Sequence, residues 1–472
     1  MSEESADLCV IGAGSAGLSV AAVAAQLGVR TILIERGQMG GECLNTGCVP
    51  SKALLAAANA AQAVRTSARF GIETPPPRID FAAVRRHVQG VIAAIAPHDS
   101  VERFEGFGIE VIRGEARFIG PRQLMVGNRT ILARRIVVAT GSEPAIPPIP
   151  GLDGFPYLTN ETIFDLEQLP AHLVVIGAGP IGLELAQAFR QLGAAVTVVE
   201  AATAIPHDDP ELSGRLVDIL RAEEIVLHEH SRITSIESNR GGVSLTIEGQ
   251  ASRIEGSHLL VAAGRKPRVE SLDLDKAGVA YGPQGVTVDR RMRTTARGVF
   301  AIGDVTGGPR FTHVASYQAG IVIRNALFRL PAKTDYTALP WVTYTDPELA
   351  QVGLTEAEAR RQHGDGIAVT RFALADNDRA HAERATEGLI KVIARPNGRI
   401  LGASILGARA GELIHLWGLA IGQRLKLSHI AGMIAPYPTL GEIGKSAAAE
   451  FYKPRLFSPW TRRAIRVLGW LP

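Results

Sequence analysis

Three cysteines occur in the 472 residues, and two of them, Cys43 and Cys48, stand five positions apart in the run GGECLNTGCVPSKALL. Two thiols at that spacing have the makings of a redox pair that cycles between disulfide and dithiol. In a regular helix five residues rise about 7.5 Å, beyond the usual Cα separation of a disulfide, so a bond here needs an irregular first turn. Asn45 and Gly47 permit one. Pro50 and the following SKALLAAANAAQAV start a good helix, whose positive N-terminal end lowers the pKa of a thiolate. The bland alternative is two buried apolar cysteines. Cys9 is the third, and so odd and sparse a set excludes a framework of structural disulfides.

The elements that must position this pair begin with a repeat. Residues 7 to 35 read DLCVIGAGSAGLSVAAVAAQLGVRTILIE and residues 172 to 200 read HLVVIGAGPIGLELAQAFRQLGAAVTVVE. Gly12, Gly14 and Gly17 match Gly177, Gly179 and Gly182, and Glu35 matches Glu200, each 165 residues apart. Each copy is an apolar run, a G-x-G-x-x-G turn, a helix, a glycine stop, a β-branched strand and a terminal glutamate. That is the context a dinucleotide-binding βαβ unit requires. The glycines let backbone approach a pyrophosphate at the helix N-terminus, and the glutamate takes the adenosine ribose hydroxyls. One such turn alone is a tight strand-to-helix connection as readily as a binding site. Two complete copies predict two dinucleotides.

Composition agrees with a large globular chain of about three domains: 46% hydrophobic, 21% charged, 50 glycines. A net charge of +3 does not advertise nucleic-acid binding, and no nucleic-acid partner is expected. No stretch reaches the length of a membrane span, and the acidic start MSEESADLCVIGAG runs straight into a strand without a visible signal peptide, so a cytoplasmic location is expected. The expected fold class is α/β, with two Rossmann-like dinucleotide-binding domains and a C-terminal α+β domain that works by packing on something. Proline-rich PAIPPIPGLDGFP closes the first segment, giving boundaries at 1–150, 151–265, 266–340, 341–452 and a tail at 453–472.

With the two fingerprints flanking it, GGxCxNxGCxPSK resembles the FAD-dependent pyridine nucleotide-disulfide oxidoreductases, among them dihydrolipoamide dehydrogenase, glutathione reductase and mercuric reductase. The resemblance runs over roughly residues 6 to 452 and includes ATG at 139–141, GRKP at 264–267, AIGD at 301–304, HVASYQAG from His313, YTDPE at 344–348 and NDRA from Asn377. It implies FAD along Gly12, Gly14, Ser15, Ala16, Gly17, Glu35, Gly41, Lys52, Ala116, Thr140, Gly141, Asp304 and His313. It implies the pyridine nucleotide along Gly177, Gly179, Gly182, Glu200 and Gly264. It makes Cys48 the thiol beside the flavin, Cys43 the interchange thiol, and Lys52 with Glu184 a charged pair near flavin N5. Isolated, either charge reads as a solvated helix residue. The resemblance also implies a homodimer and electron flow from NAD(P)H through FAD to the disulfide and on to an acceptor. No resident metal site is assigned.

Two departures stand out. Thiol-handling members carry His-Pro-Thr-x-x-Glu near the C-terminus, the histidine serving the partner subunit's interchange thiol, whereas this chain has Tyr437-Pro438-Thr439-Leu440-Gly441-Glu442. Tyrosine titrates near 10 and histidine near 6.5, so Tyr437 is a poor proton acceptor for a dithiol. The tyrosine resembles mercuric reductase; a buried interface aromatic is its plain reading. Mercuric reductases generally also carry a C-terminal cysteine pair, and no cysteine lies beyond Cys48 here. Arg268 follows GRKP where asparagine is usual. A mercuric-reductase-like enzyme is the leading expectation, beside an unusual dihydrolipoamide dehydrogenase and a slow redox or nucleotide sensor. Glu200, with no arginine from Ala201 to Gly214, predicts NADH over NADPH. The tail FYKPRLFSPWTRRAIRVLGWLP mixes arginines with tryptophans and leucines in a way that suits a membrane headgroup boundary, packing on its own dimer being the alternative.

Overall fold

A computed structural model of the chain describes residues 2–239 and 241–470. The apolar run before the first glycine turn becomes the strand Ser2–Ile11, in which Leu8, Cys9, Val10 and Ile11 are buried. The alanine-rich segment after it becomes the helix Ser15–Gln26, which packs Ala16, Leu18, Val20, Ala21 and Ala24 inward. Gly28 ends the turn at φ 76°, and the β-branched run Thr31–Glu35 returns parallel to the first strand, with Leu8 opposite Thr31. The periods legible in the sequence are therefore realised by burial on both faces of a parallel sheet.

The chain divides into two bodies. The first holds the residues up to Gly177, with Gln191–Val196 and Arg232–Thr334; the second holds Ala178–Arg190, Thr197–Ser231 and the residues from Asp335 onward. In the first, a seven-stranded sheet runs Glu110–Arg113, Thr31–Glu35, Ser2–Ile11, Arg129–Val138, Gln123–Val126, Ala116–Gly120. The long strand Arg129–Val138 pairs in parallel with Ser2–Ile11, and at its C-terminal end takes Val299–Ala301 as a further parallel neighbour. Five parallel strands thus end together, at Arg113, Glu35, Ile11, Val138 and Ala301. Such a common carboxyl edge is where open α/β sheets bind ligands.

The second body contains a five-stranded antiparallel sheet in the order Pro340–Thr343, Glu348–Gly353, Ile400–Gly407, Leu389–Ala394, Ala368–Ala373. The helices Ala410–Gly422 and Glu442–Glu450 close it, with Trp417 buried in the shared core. Lys391 is 4% exposed on a central strand and would be costly there alone. Its ammonium meets Asp209 at 2.9 Å, Glu356 at 2.7 Å and Glu211 at 3.2 Å. Among the described residues no helix is long and apolar enough to cross a membrane.

Candidate active site

The first glycine turn is built by backbone crowding. Gly12 sits at φ 104°, and a Cβ there would lie 2.4 Å from the carbonyl oxygen of Ala139; one on Gly17 would lie 1.8 Å from the carbonyl oxygen of Gly12. Beyond Val138, Ala139 donates its N–H to the Ile11 carbonyl at 2.8 Å, and Gly141, at φ 71°, has open space where a side chain would stand. The Glu35 carboxylate is held from both sides: the Ala13 N–H donates to Oε2 at 2.6 Å and the Gly37 N–H to Oε1 at 2.6 Å. This is a cradle of closely packed backbone with a fixed carboxylate at its rim, the fit a dinucleotide requires.

The second turn repeats it. Gly177, at φ 106°, would carry a Cβ 2.5 Å from the Ala262 carbonyl oxygen, and Ala262 donates to Ile176 at 2.8 Å. Gly179 has nothing within 4 Å of a built Cβ, leaving room for a phosphate. Glu200 accepts from the Ala178 N–H at 2.9 Å and from the Ala202 N–H at 2.8 Å, as Glu35 does one repeat earlier. Gly264, at φ 124°, follows Ala262 and Ala263 as Gly141 follows Ala139 and Thr140. Gly182 lies in the helix Pro180–Leu192.

Between Glu35 and the cysteines the chain makes two left-handed steps, Gly40 at φ 83° and Gly41 at φ 59°. A Cβ on Gly41 would stand 2.7 Å from the Gly14 Cα. Only glycine lets the chain pass so close to the nucleotide turn. A short helix, Gly41–Asn45, then carries Cys43, and a break at Thr46 and Gly47 precedes the long helix Cys48–Arg65. The irregular turn that the cysteine spacing demands is therefore present, although the second helix begins at Cys48 itself, two residues before Pro50.

The two cysteines are thiols here. The Cys43 thiol is pushed well above its ordinary range, first by its hydrogen bond with Cys48 and then by burial, while hydroxyls of Thr312 and Ser15 act in the opposite sense. Cys48 stands at the first position of its helix, where the dipole favours a thiolate, with its sulfur 3.5 Å from the Thr312 hydroxyl. Cys9 is wholly buried in the sheet, and burial pushes its thiol up; it is a core residue.

Beneath Cys43 lies a charged knot that the sequence did not announce. Glu42 pairs with Arg265 and accepts from the Asn160 amide at 2.9 Å. Arg265 also donates to the Ser142 hydroxyl at 2.7 Å, and that hydroxyl donates to Asp304 at 2.7 Å. Burial raises the Glu42 pKa, with Arg265 opposing. Arg268 donates to Glu161 at 2.6 Å and lies 3.5 Å from Glu143, while its carbonyl accepts from Thr140 at 2.7 Å. The substitution unexplained by motif thus has ion-pair partners.

Other expected site residues scatter more widely. Ala16 is buried in the first nucleotide helix and Ala116 in the sheet; Lys52 is half-buried on the cysteine helix; His313 stacks on Phe311 at 5.2 Å. In the second body, Glu184 is 5% exposed and its carboxylate accepts from the Tyr344 N–H at 2.9 Å. Tyr437 is 72% exposed and donates to Asp378 at 2.8 Å, which pushes the phenol pKa up. Glu442 accepts from the Thr439 N–H at 3.1 Å. Its carboxylate is turned to backbone, and Asp378 takes the Tyr437 phenol.

A fold with a common carboxyl edge, two nucleotide cradles and a thiol pair at the first defines a flavin-type disulfide reductase. The chain matches the pyridine nucleotide-disulphide oxidoreductase family over residues 6–319 and that family's dimerisation domain over residues 339–448, and it belongs to this family. It is 37% identical over 455 residues to a mercuric reductase of Streptomyces lividans, covering 94% of this chain and 96% of that one. It is 35% identical to a dihydrolipoyl dehydrogenase of Geobacillus stearothermophilus, covering 93% and 94%. Among solved structures it is similar to the Cu(II) complex of the HOCl-induced flavoprotein disulfide reductase RclA of Escherichia coli, with a TM-score of 0.85 at 29% identity over 95% of this chain and 100% of that one. The chain is thus an FAD-dependent oxidoreductase that passes electrons from a pyridine nucleotide through FAD and a redox disulfide, with a domain that supports a homodimer.

Proposed function

We propose that the disulfide is Cys43–Cys48 and that its acceptor is a soft metal ion of the Hg(II) class. NAD(P)H and one proton convert the disulfide into two thiols and release NAD(P)+; FAD, when bound, supplies the two-electron relay between them. The Cys43 and Cys48 sulfurs then hold the acceptor, which leaves as the metal after gaining two electrons while the disulfide re-forms and two protons are released. The observation that carries this reading is the thiol pair itself, hydrogen-bonded at the break between two helices. Cys48 serves as the thiol beside the flavin and Cys43 as the thiol that meets the acceptor.

Gly12, Gly14, Ser15, Ala16, Gly17, Glu35, Gly41, Lys52, Ala116, Thr140, Gly141, Asp304 and His313 hold FAD in this proposal. Gly177, Gly179, Gly182, Glu200 and Gly264 hold the pyridine nucleotide, with NADH preferred. Lys52 and Glu184 serve in this proposal as the charged pair near flavin N5. Tyr437, with Glu442 near it in sequence, comes from the partner subunit. A phenol kept protonated by Asp378 donates a hydrogen bond but does not take a proton from a dithiol, which favours a metal over lipoamide. The mercuric reductase relatives point the same way; the dihydrolipoyl dehydrogenase relative keeps lipoamide as the second reading. The domain limits proposed are 1–150, 151–265, 266–340, 341–452 and 453–472, and the enzyme is placed in the cytoplasm at the membrane periphery.

NADH oxidation with Hg(II), Cu(II), lipoamide and a quinone, each as sole acceptor, tests the reading. Hg(II) supports sustained turnover in the native enzyme, and Cys43→Ser lowers it by about a thousandfold or more while NADH still bleaches the flavin. Turnover that survives in Cys43→Ser, or lipoamide outpacing Hg(II), would refute it.

A further inference from the structure

We propose that the C-terminal helix Pro459–Leu468 docks on an anionic membrane surface, lying in the headgroup plane. This deepens, and rests on, the peripheral location proposed for the enzyme, and does not depend on the acceptor. At about 100° per residue, Val467, Trp460, Ala464, Leu468, Thr461 and Ile465 fill one arc of roughly 160°, and Arg462, Arg466 and Arg463 fill the opposite one. A surface helix normally turns such an apolar stripe toward a core. Here none of its residues is buried: Trp460 is 77% exposed, Val467 69%, Ile465 62% and Leu468 60%.

The helix is fixed at its root, so this display is a feature of the fold. Arg455 donates to the Pro396 carbonyl at 3.1 Å and lies over the Phe451 ring at 5.4 Å. Ser458 caps the helix by accepting the Thr461 N–H at 3.2 Å, and the Thr461 hydroxyl donates to the Arg455 carbonyl at 2.7 Å. The chain has no acidic residue after Glu450. Charge decides the occupant: an apolar stripe alone fits many proteins, but a stripe bordered by three arginines fits a surface that is apolar within and anionic at its rim. Trp460 and Trp470, the latter 87% exposed, carry the side chain best suited to a water–hydrocarbon boundary. Segregated arginine and tryptophan–leucine faces on a helix of low net hydrophobicity are the pattern of interfacial helices.

The experiment is co-sedimentation of the full-length, FAD-loaded protein with phosphatidylcholine vesicles, with and without phosphatidylglycerol, at low and high salt. The protein binds the anionic vesicles at low salt and is released at high salt. Each basic residue near such a surface strengthens binding about fivefold, so exchanging Arg462, Arg463 and Arg466 together for glutamine weakens it on the order of a hundredfold. Trp460→Ser with Leu468→Ser weakens binding at low salt although every arginine is retained. A chain truncated after Tyr452 does not bind, yet its flavin is reduced by NADH at the native rate, which separates a docking failure from a redox one. Equal binding by the truncated chain, or no binding of the full chain to anionic vesicles at low salt, overturns the proposal. So does a truncation that shifts only the monomer–dimer equilibrium, since the partner subunit is then the occupant.

Discussion

The two nucleotide turns, 165 residues apart, are alike for longer than their sequences are. Sequence similarity stops at Glu35 and Glu200, but the backbone continues in step: the Gly40 N–H donates to the Ala13 carbonyl at 3.0 Å, and the Ile205 N–H donates to the Ala178 carbonyl at 3.0 Å. Gly40 does this at φ 83° and Ile205 at φ 38°. A β-branched residue at positive φ is costly, so the turn is imposed by the unit and not by local preference. Three residues on, the copies part. Position 43 is the cysteine of the thiol pair, and its equivalent, position 208, is an aspartate that is 5% exposed and accepts from the Trp341 indole N–H at 3.0 Å. The first copy sets a thiol of the pair at this corner, admitted by Gly41 against Gly14; the second closes it with Pro206 and a buried carboxyl, then starts the helix Pro210–Ala222 with Asp209 as its cap. One fold unit thus carries a thiol pair or a buried acid according to what occupies one turn.

The largest effect comes from breaking the first corner. Gly41→Ala places a Cβ 2.7 Å from the Gly14 Cα at a left-handed φ, and the expected loss is about 2 to 5 kcal/mol of holoenzyme stability together with bound FAD. Gly179→Ala, at the open position of the second copy, leaves melting temperature and flavin content unchanged and weakens only the pyridine nucleotide. Flavin absorbance per chain and thermal melting of both variants measure the contrast; a full flavin complement in Gly41→Ala would contradict it.

A second contrast lies at Asp208. Burial first, opposed by the Trp341 hydrogen bond and reinforced by Asp209, raises its pKa from 3.8 to about 6. A carboxyl raised in the folded state contributes stability that is fully present below the ordinary value of 3.8 and is lost as pH rises through about 6. Asp208→Asn keeps an acceptor for Trp341 without the charge. It is expected to stabilise the protein at pH 7.5 by at most about 3 kcal/mol and by nothing near pH 4. Melting temperatures displaced equally at both pH values would show that the carboxyl does not titrate in this way.

The smallest expected effect concerns Glu200. A carboxylate fixed by two backbone N–H groups receives ribose hydroxyls and repels a 2′-phosphate, so kcat/KM for NADH exceeds that for NADPH by about tenfold or more, roughly 1.4 kcal/mol. Glu200→Ala narrows the ratio, while the same change at Glu35 leaves it alone and loosens FAD. Stopped-flow flavin reduction with both nucleotides decides this, and equal rates in the native enzyme would remove the basis for the preference.

The sequence by itself determined whatever is encoded by short spacings. Two glycine turns, their helices and terminal glutamates, the cysteine pair with its irregular turn and the basic amphipathic tail were all legible, because periodicity and turn residues act within a dozen positions. The family followed from those motifs. Only the tertiary structure decided which distant groups meet. Glu42 and Arg265 are 223 residues apart and Tyr437 and Asp378 are 59 apart, and nothing in their local runs names the partner, because an ion pair depends on where strands end and not on spacing. The equivalence of Gly40 with Ile205, and of Cys43 with Asp208, is hidden for the same reason. Backbone hydrogen bonds to the nucleotide turn hold both corners in one shape, so dissimilar side chains occupy equal places, and the residue that stands there makes one a thiol site and the other a buried acid.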